Sequence, residues 1–351
     1  MSMLVECEAL RDWVKGILCR AGAPAPQASC VAHILLRTDS RGVRTHGVTR
    51  LASYVEKLRS GEVNPDPQIS SHSISPNTML LEADGAFGQV AMSEALRLGV
   101  QGLDTGDMRA LLIRECGHLG ALGLYALMAA EQGYFSVVAQ RTPALMALPG
   151  FEHPAVGNNP IAFGCPISGA DPLVFDMACS VAARGHILLR ARSGEPIPEG
   201  WALDAHGEPT TEAAAALGGA LLPSAGHKGM GIAMLVECLS AGLLASERSI
   251  AALRSETGVA IQGAVGRQGA FMLLINQRVL SRGYFDAYMS QWAGQYRRKG
   301  GVDARLPGAR GAELEREVRR RGSLDISEDL YRELCGLAAQ FGLNFPAAAL
   351  A

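Results

Sequence analysis

Aromatic residues are scarce in this sequence, at 5% of positions, and its charges nearly cancel, leaving a formal net of -2. No basic stripe with interleaved aromatics occurs, so nucleic acid is not an expected partner. The eight cysteines form no C-x-x-C pair, which argues against a thiolate zinc site, and no metal centre is expected. Cys7, Cys19, Cys30, Cys116, Cys165, Cys179, Cys238 and Cys335 lie scattered in apolar stretches and read as reduced, buried thiols of a cytoplasmic protein. The opening MSMLVECEALRDWVKG carries acids early and lacks a long apolar core, so it does not read as a signal peptide. The most apolar stretch, residues 230–245, is interrupted by Glu237 and is too short to span a bilayer.

What remains is a chain of 351 residues, 48% hydrophobic, long enough for two domains or for one large domain with an appendage. Residues 4–20 have the pattern of an amphipathic helix, a second follows through Val31, Ile34 and Leu35, and a third begins near His46. Asn64 to Pro67 and the serine-rich 70–77 read as a loop and as the domain boundary. Beyond it strands are expected at 79–81, 109–114, 135–140, 173–176 and 269–276, with helices at 90–100, 124–132 and 230–245. Residues 310–341 return to helical patterns, and Glu313 to Arg321 reads as a solvated helix face.

The stretch 39–58, DSRGVRTHGVTRLASYVEKL, is the most suggestive. Thr45 is a candidate N-cap for a helix that begins at His46 and carries Val48, Leu51, Val55 and Leu58 on one side. On such a helix His46 and Arg50 share a face, a proton carrier beside a carboxylate clamp. The same residues also suit a plain helix start with a surface arginine.

The G-x-G-x-x-G fingerprint of a Rossmann fold is absent, and with no GKS or GKT there is no P-loop. Two glycine-rich turns precede helices instead, Gly117 to Gly123 and Gly226 to Gly231, the second with Lys228. Each can cradle a phosphate on bare N–H groups or serve as an ordinary helix-start turn. Gly157-Asn158-Asn159-Pro160 reads as a turn, and Asp176 ends a buried strand as a positioning group or a cap.

Taken in order, RGVRTHGVTRLASYVEKLRSGEVNP, GHLGALGLYALMAAEQG, GNNPIAFGCP, VFDMACSVAARG, GEPIPEGWALDAHGEPTT, GALLPSAGHKGMGIAMLVE and RLPGARG resemble the malate/L-lactate dehydrogenase family, from about residue 39 to residue 311. That family also includes sulfolactate, ureidoglycolate and diketogulonate oxidoreductases and cyclic-imine carboxylate reductases. The resemblance implies an α+β fold with a non-Rossmann cofactor domain, residues 75–301, holding a mostly antiparallel sheet. A helical domain, residues 1–74 joined by 302–351, would come from both chain ends. It implies an enzyme using NAD or NADP on a small carboxylate substrate, a homodimer without a membrane partner. By motif match His46 would exchange the proton with Thr45 beside it, Arg50 would hold the substrate carboxylate, and Asn158 would lie near the substrate. His118, Gly120, Asp176, Met177, Ala178, His186, Lys228, Pro307 and Gly308 would line the cofactor.

Thr45 stands where the family usually has serine, Asn158 where threonine is expected, Gly117 where asparagine or serine is common, and Ala309 where a glutamate is. The expected activity is hydride transfer between nicotinamide and a 2-hydroxy or 2-oxo acid. The alternatives are a cyclic-imine carboxylate reductase and a non-catalytic ligand-binding relative. The imine-reducing branch carries an acidic residue after the glycine that follows the DMA block, and His186 occupies that position here, which favours the oxo acid.

Overall fold

Leu10, Trp13, Val14, Ile17 and Leu18 recur at three- and four-residue spacing, and in the computed structural model they line the buried face of the helix Cys7–Arg20. The structure describes residues 2–254, 268–301 and 303–350. The helix starts later than expected because Ser2–Glu6 is a strand, and the Glu6 carboxylate accepts the N–H groups of Glu8 and Ala9 to cap the helix behind it. This strand pairs antiparallel with Ser323–Ser327 on one side and Ala348–Leu350 on the other, a small sheet that ties the two chain ends together. It interrupts the helical pattern expected over 310–341, which divides into the helices Ala309–Arg321 and Glu328–Gln340.

The helices Cys7–Arg20, Ala25–Ser40, Leu51–Arg59 and Glu328–Gln340 share one core, with Val5, Leu35, Leu51, Tyr54, Leu324 and Leu334 among its members. Helices from both ends therefore pack together. On the helix Ala309–Arg321, Glu315 lies between Arg37 of the second helix, at 2.8 Å, and Arg41 just past that helix's end, at 2.6 Å.

The large sheet has seven strands in the order Ser70–Ser75, Thr78–Glu82, Met108–Cys116, Gln268–Ile275, Phe135–Gln140, Ile161–Cys165 and Leu173–Met177. Thr78–Glu82 runs parallel to Met108–Cys116, with the helix Gly88–Val100 as the crossover. Every other pairing in that sheet is antiparallel. The apolar helix Leu122–Glu131 packs into the core beside it.

Two expectations need correction. Residues 70–77 are not a loop: Ser70–Ser75 is an edge strand, so the sheet begins before the break expected at 74/75. All six of its residues are exposed, so it carries no apolar alternation and is held by backbone pairing to Thr78–Glu82. The helix expected over 230–245 runs from His227–Ser240 and is buried on one side only; Ile232, Met234, Leu235 and, in the following turn, Leu243 are exposed. Cys238 on the same helix is exposed too, unlike the buried thiols of Cys116, Cys165 and Cys179. No described helix is long and apolar enough to cross a membrane.

Removing Glu315 leaves Arg37 without one partner and Arg41 without its carboxylate where water is scarce. Glu315→Ala is expected to cost about 2–3 kcal/mol in denaturant unfolding. A midpoint equal to that of the parent protein would show that this triad does not hold the chain ends together.

Candidate active site

The residues from Arg44 to Arg50 do not form the expected helix with Thr45 as N-cap. They make two 3-10 turns, Arg44–His46 and Val48–Arg50, before the α-helix Leu51–Arg59. Asp39 is the cause. Its carboxylate accepts the Val48 N–H at 2.7 Å and lies so close over Gly47 that a Cβ there would fall 1.9 Å from the oxygen. The Thr45 hydroxyl therefore meets His46 Nδ1, at 2.9 Å, instead of capping backbone. Arg50 Nε donates to the Thr45 carbonyl at 2.7 Å, which leaves both Nη groups without a partner among the described residues.

A second histidine stands opposite. Strand Met108–Cys116 ends, and residues 117–121 lead into the helix Leu122–Glu131. The buried Gln140 grips the backbone on both sides of His118, accepting the Leu119 N–H at 2.9 Å and donating to the Gly117 carbonyl at 3.0 Å. Gly88 is required here, since a Cβ would lie 2.4 Å from the Gly117 carbonyl oxygen and 2.5 Å from the His118 backbone. The His118 ring is thereby set with its centroid 5.7 Å from that of His46. Tyr54 OH lies 3.1 Å from His118 Nδ1 and receives a hydrogen bond from Gln89 Nε2 at 2.6 Å. Gly120, at φ +85°, lies against that glutamine, where a Cβ would stand 3.6 Å from Gln89 Nε2.

Both imidazoles are crowded by protein yet reachable from one side. Burial, aided by the Arg50 charge, pushes His46 down to about 4. Burial, then His46, Arg50 and Lys57, pushes His118 down to about 3. Both rings are neutral near pH 7 in the free protein. Burial raises Tyr54 to about 12, so its phenol keeps its proton, and raises Asp39 to about 7 against the pull of the Val48 N–H and Arg44.

The other matched residues string along the edge strand Leu173–Met177. Val174 N–H donates to the Pro307 carbonyl at 3.0 Å, and Gly308, at φ +91°, packs on the same valine. The Asp176 carboxylate accepts the Gly123 N–H at 2.7 Å, and burial raises it to about 6. Met177 pairs with Ile161, and Ala178 follows at the strand's end. Cys179 accepts from Ser224 N–H, which brings the turn before Lys228 to the same edge, and donates to the Asn158 carbonyl at 2.8 Å. The Asn158 side-chain oxygen accepts from Thr142 at 2.8 Å.

His186 stands apart. It lies exposed on the helix Arg184–Ser193 rather than on a strand, and no hydrogen bond links it to these residues. Sequence reasoning gave no role to Asp39, Tyr54, Gln89 or Gln140. Gln89 and Gln140 carried a usable signal, since each is a lone amide in an apolar run that must be paired once buried.

The turn at this edge has the chemistry to take a phosphate. Gly226, at φ +62°, has open space where a Cβ would stand, and Lys228 is exposed at the start of the helix His227–Ser240 with no partner among the described residues.

The family profile of malate/L-lactate dehydrogenase matches residues 5–335. The Delta(1)-pyrroline-2-carboxylate/Delta(1)-piperideine-2-carboxylate reductase of Pseudomonas aeruginosa is 32% identical over 330 residues, covering 94% of this chain and 98% of that protein. The (2R)-3-sulfolactate dehydrogenase (NADP(+)) of Chromohalobacter salexigens is 31% identical over 334 residues, covering 95% and 98%. Among solved structures, delta1-piperideine-2-carboxylate reductase from Pseudomonas syringae superposes with a TM-score of 0.85 at 28% identity, over 95% of this chain and 99% of that one. With its mostly antiparallel sheet, its paired histidines and a profile match over nearly its whole length, the chain belongs to the malate/L-lactate dehydrogenase family of oxidoreductases.

Proposed function

We propose that this protein is an NAD(P)-dependent oxidoreductase that interconverts a small 2-hydroxy acid and its 2-oxo acid. The observation that carries the reading is the pair of neutral imidazoles, His46 and His118, beside an Arg50 guanidinium with both Nη groups free. The nicotinamide supplies or takes the hydride when bound. Arg50 takes the substrate carboxylate in a two-bond fork. That carboxylate offsets the Arg50 charge that disfavours imidazolium, so proton affinity at the pair rises as substrate binds. His46, oriented by Thr45, takes the hydroxyl proton in oxidation and returns it to the carbonyl oxygen in reduction. The nearby His46 adds to the forces that keep His118 unprotonated.

In this reading the cofactor is held without a Rossmann turn, along the sheet edge. Asp176, Met177 and Ala178 lie at its middle, Lys228 and its turn at one end, Pro307 and Gly308 at the other, with His118 and Gly120 facing inward. His186 is left out of this set because of its exposed helical position. Asn158 sits beside the substrate. The exposed apolar side chains Ile232, Met234, Leu235 and Leu243 support a homodimer, and eight unpaired thiols support a cytoplasmic setting.

Cyclic-imine carboxylate reduction is the second reading, favoured by the Pseudomonas relatives and by the Asp176 carboxyl, which could stand near a cationic iminium. The test is a side-by-side assay of small 2-oxo acids and five- and six-membered cyclic imine carboxylates with NADH and NADPH. The oxo-acid reading requires some oxo acid to have the higher kcat/KM. An imine that exceeds every oxo acid by about tenfold, or about 1.4 kcal/mol in transition-state binding, replaces it.

His46→Ala is expected to lose about a hundredfold or more in kcat, the scale of general acid–base catalysis. Because His46 is pushed down to about 4, kcat/KM for alcohol oxidation should fall only as the pH nears that value. A midpoint near the free-imidazole value would remove burial as the controlling force. Arg50→Lys keeps the charge and loses the fork, so KM for the acid should rise about tenfold with cofactor affinity unchanged. An unchanged KM would place the carboxylate elsewhere.

A further inference from the structure

Gln89 is fully buried beneath the histidine pair, and its side-chain amide makes one hydrogen bond among the described residues: Nε2 donates to Tyr54 OH at 2.6 Å, while Oε1 has no partner there. Tyr54, also buried, has one proton and lies between Gln89 and His118 Nδ1. We propose that Gln89 is a positioning residue that selects the tautomer of His118 through Tyr54, and that a half-turn of its amide reverses the choice.

The proton positions follow from donor and acceptor roles. With the amide as it stands, Gln89 N–H donates to the Tyr54 oxygen, so the Tyr54 O–H is free to donate to His118 Nδ1. The imidazole then carries its proton on Nε2. With the amide turned, Tyr54 O–H donates to Gln89 Oε1, His118 Nδ1–H donates to the Tyr54 oxygen, and Nε2 keeps a lone pair. Passing from one state to the other breaks the Nε2–H bond and forms an Nδ1–H bond, one proton leaving the ring to solvent and one arriving from it, and the imidazole is neutral at both ends. The first tautomer offers Nε2–H to a carbonyl oxygen, and the second offers a lone pair to a hydroxyl. Each therefore matches one redox state of the substrate.

The surroundings suit a two-position amide. As the amide stands, Nε2 is paired and Oε1 is the atom left without a partner among the described residues; after a half-turn Oε1 would be paired and Nε2 left over. Gly120 leaves its Cβ position 3.6 Å from Gln89 Nε2 and 3.9 Å from Tyr54 OH, room that a side chain would take. The backbone that carries His118 is held in place, because Gln140 fixes Gly117 and Leu119 and Gly88 abuts the same loop. The amide moves and the imidazole stays.

The catalytic meaning rests on the proposed reading of the histidine pair, but the tautomer can be measured without turnover. Long-range nitrogen–proton correlation spectra of the full-length protein labelled with 15N-histidine report it directly, with His118→Asn for assignment. The substrate-free parent should show His118 as the single Nε2–H tautomer. Gln89→Met, close in shape and without polar atoms, and Tyr54→Phe should each yield a mixture of tautomers. Gln89→Met should also lower kcat by about tenfold with KM, cofactor affinity and thermal midpoint unchanged. A mixed tautomer in the parent, or a single unchanged tautomer in Gln89→Met, overturns the proposal. If Gln89→Met does not fold, an unchanged tautomer in Tyr54→Phe overturns it in the same way. A parent that turns over neither acids nor imines, yet shows these tautomer shifts, overturns the functional reading alone.

Discussion

One hydrogen bond, between Tyr54 and His118, joins two cores of this molecule. Tyr54 belongs to the core built from the chain ends, and its ring meets Phe87 edge-on at 5.9 Å. His118 leads into a helix whose Leu122, Leu124 and Tyr125 belong to the core of the large sheet. A phenol this deeply buried must find partners, because an unpaired hydroxyl in the interior costs about 1–3 kcal/mol. Tyr54 finds both of its partners at the site. The same contact that satisfies the fold therefore sets the distance between the two histidines, and the site cannot loosen without exposing a polar group to an apolar interior.

Burial then decides the charge state. Two imidazoles held near each other and near Arg50 and Lys57 are neutral because the protein around them withholds water and supplies positive charge. Folding stability pays for this on the acid side. The unfolded chain takes up protons below about pH 6.5, whereas the folded histidines resist until about 4 and about 3, so their contribution is lost as pH falls through that window. Asp39 and Asp176 act in the opposite sense. Their folded values of about 7 and about 6 lie above the unfolded one of 3.8, so their contribution is present at low pH and is lost as pH rises through the folded values. The two pairs oppose each other between about pH 4 and 7, and the site carries internal compensation against acid.

The helices and the central strands were legible in the sequence because they bury a face with a fixed period: the strand Phe135–Gln140 was read to the residue, and the helix Cys7–Arg20 from its five buried side chains. The strand Ser70–Ser75 was not legible, since it buries nothing and pairs only through its backbone. At the site, the nearness of His46 and Arg50 was readable as spacing, but its cause was misread. A helix was expected where a carboxylate nine residues upstream takes the Val48 N–H and breaks the ladder. Long-range contacts of that kind leave no local trace. The adjacency of His118 to His46 is of the same type, for it depends on a crossover and two glycine approaches that no window of sequence contains.

A smaller constraint of the same sort bears on substrate choice under the proposed reading. Asn158 stands where the family pattern leads one to expect threonine, and a threonine would offer a hydroxyl able both to donate and to accept. Here the Asn158 oxygen already accepts from Thr142, whose own position is fixed because its N–H donates to the buried Asn159 side chain at 2.8 Å. Asn159 is in turn held by the Ala233 carbonyl and by Glu237, which also binds Arg141. With one lone pair of its oxygen taken, Asn158 keeps both amide N–H donors without a partner among the described residues. Under the proposed reading it would therefore favour a substrate group rich in acceptor oxygens, distal to the carboxylate that Arg50 holds, because discrimination is strong when a donor would otherwise go unmatched.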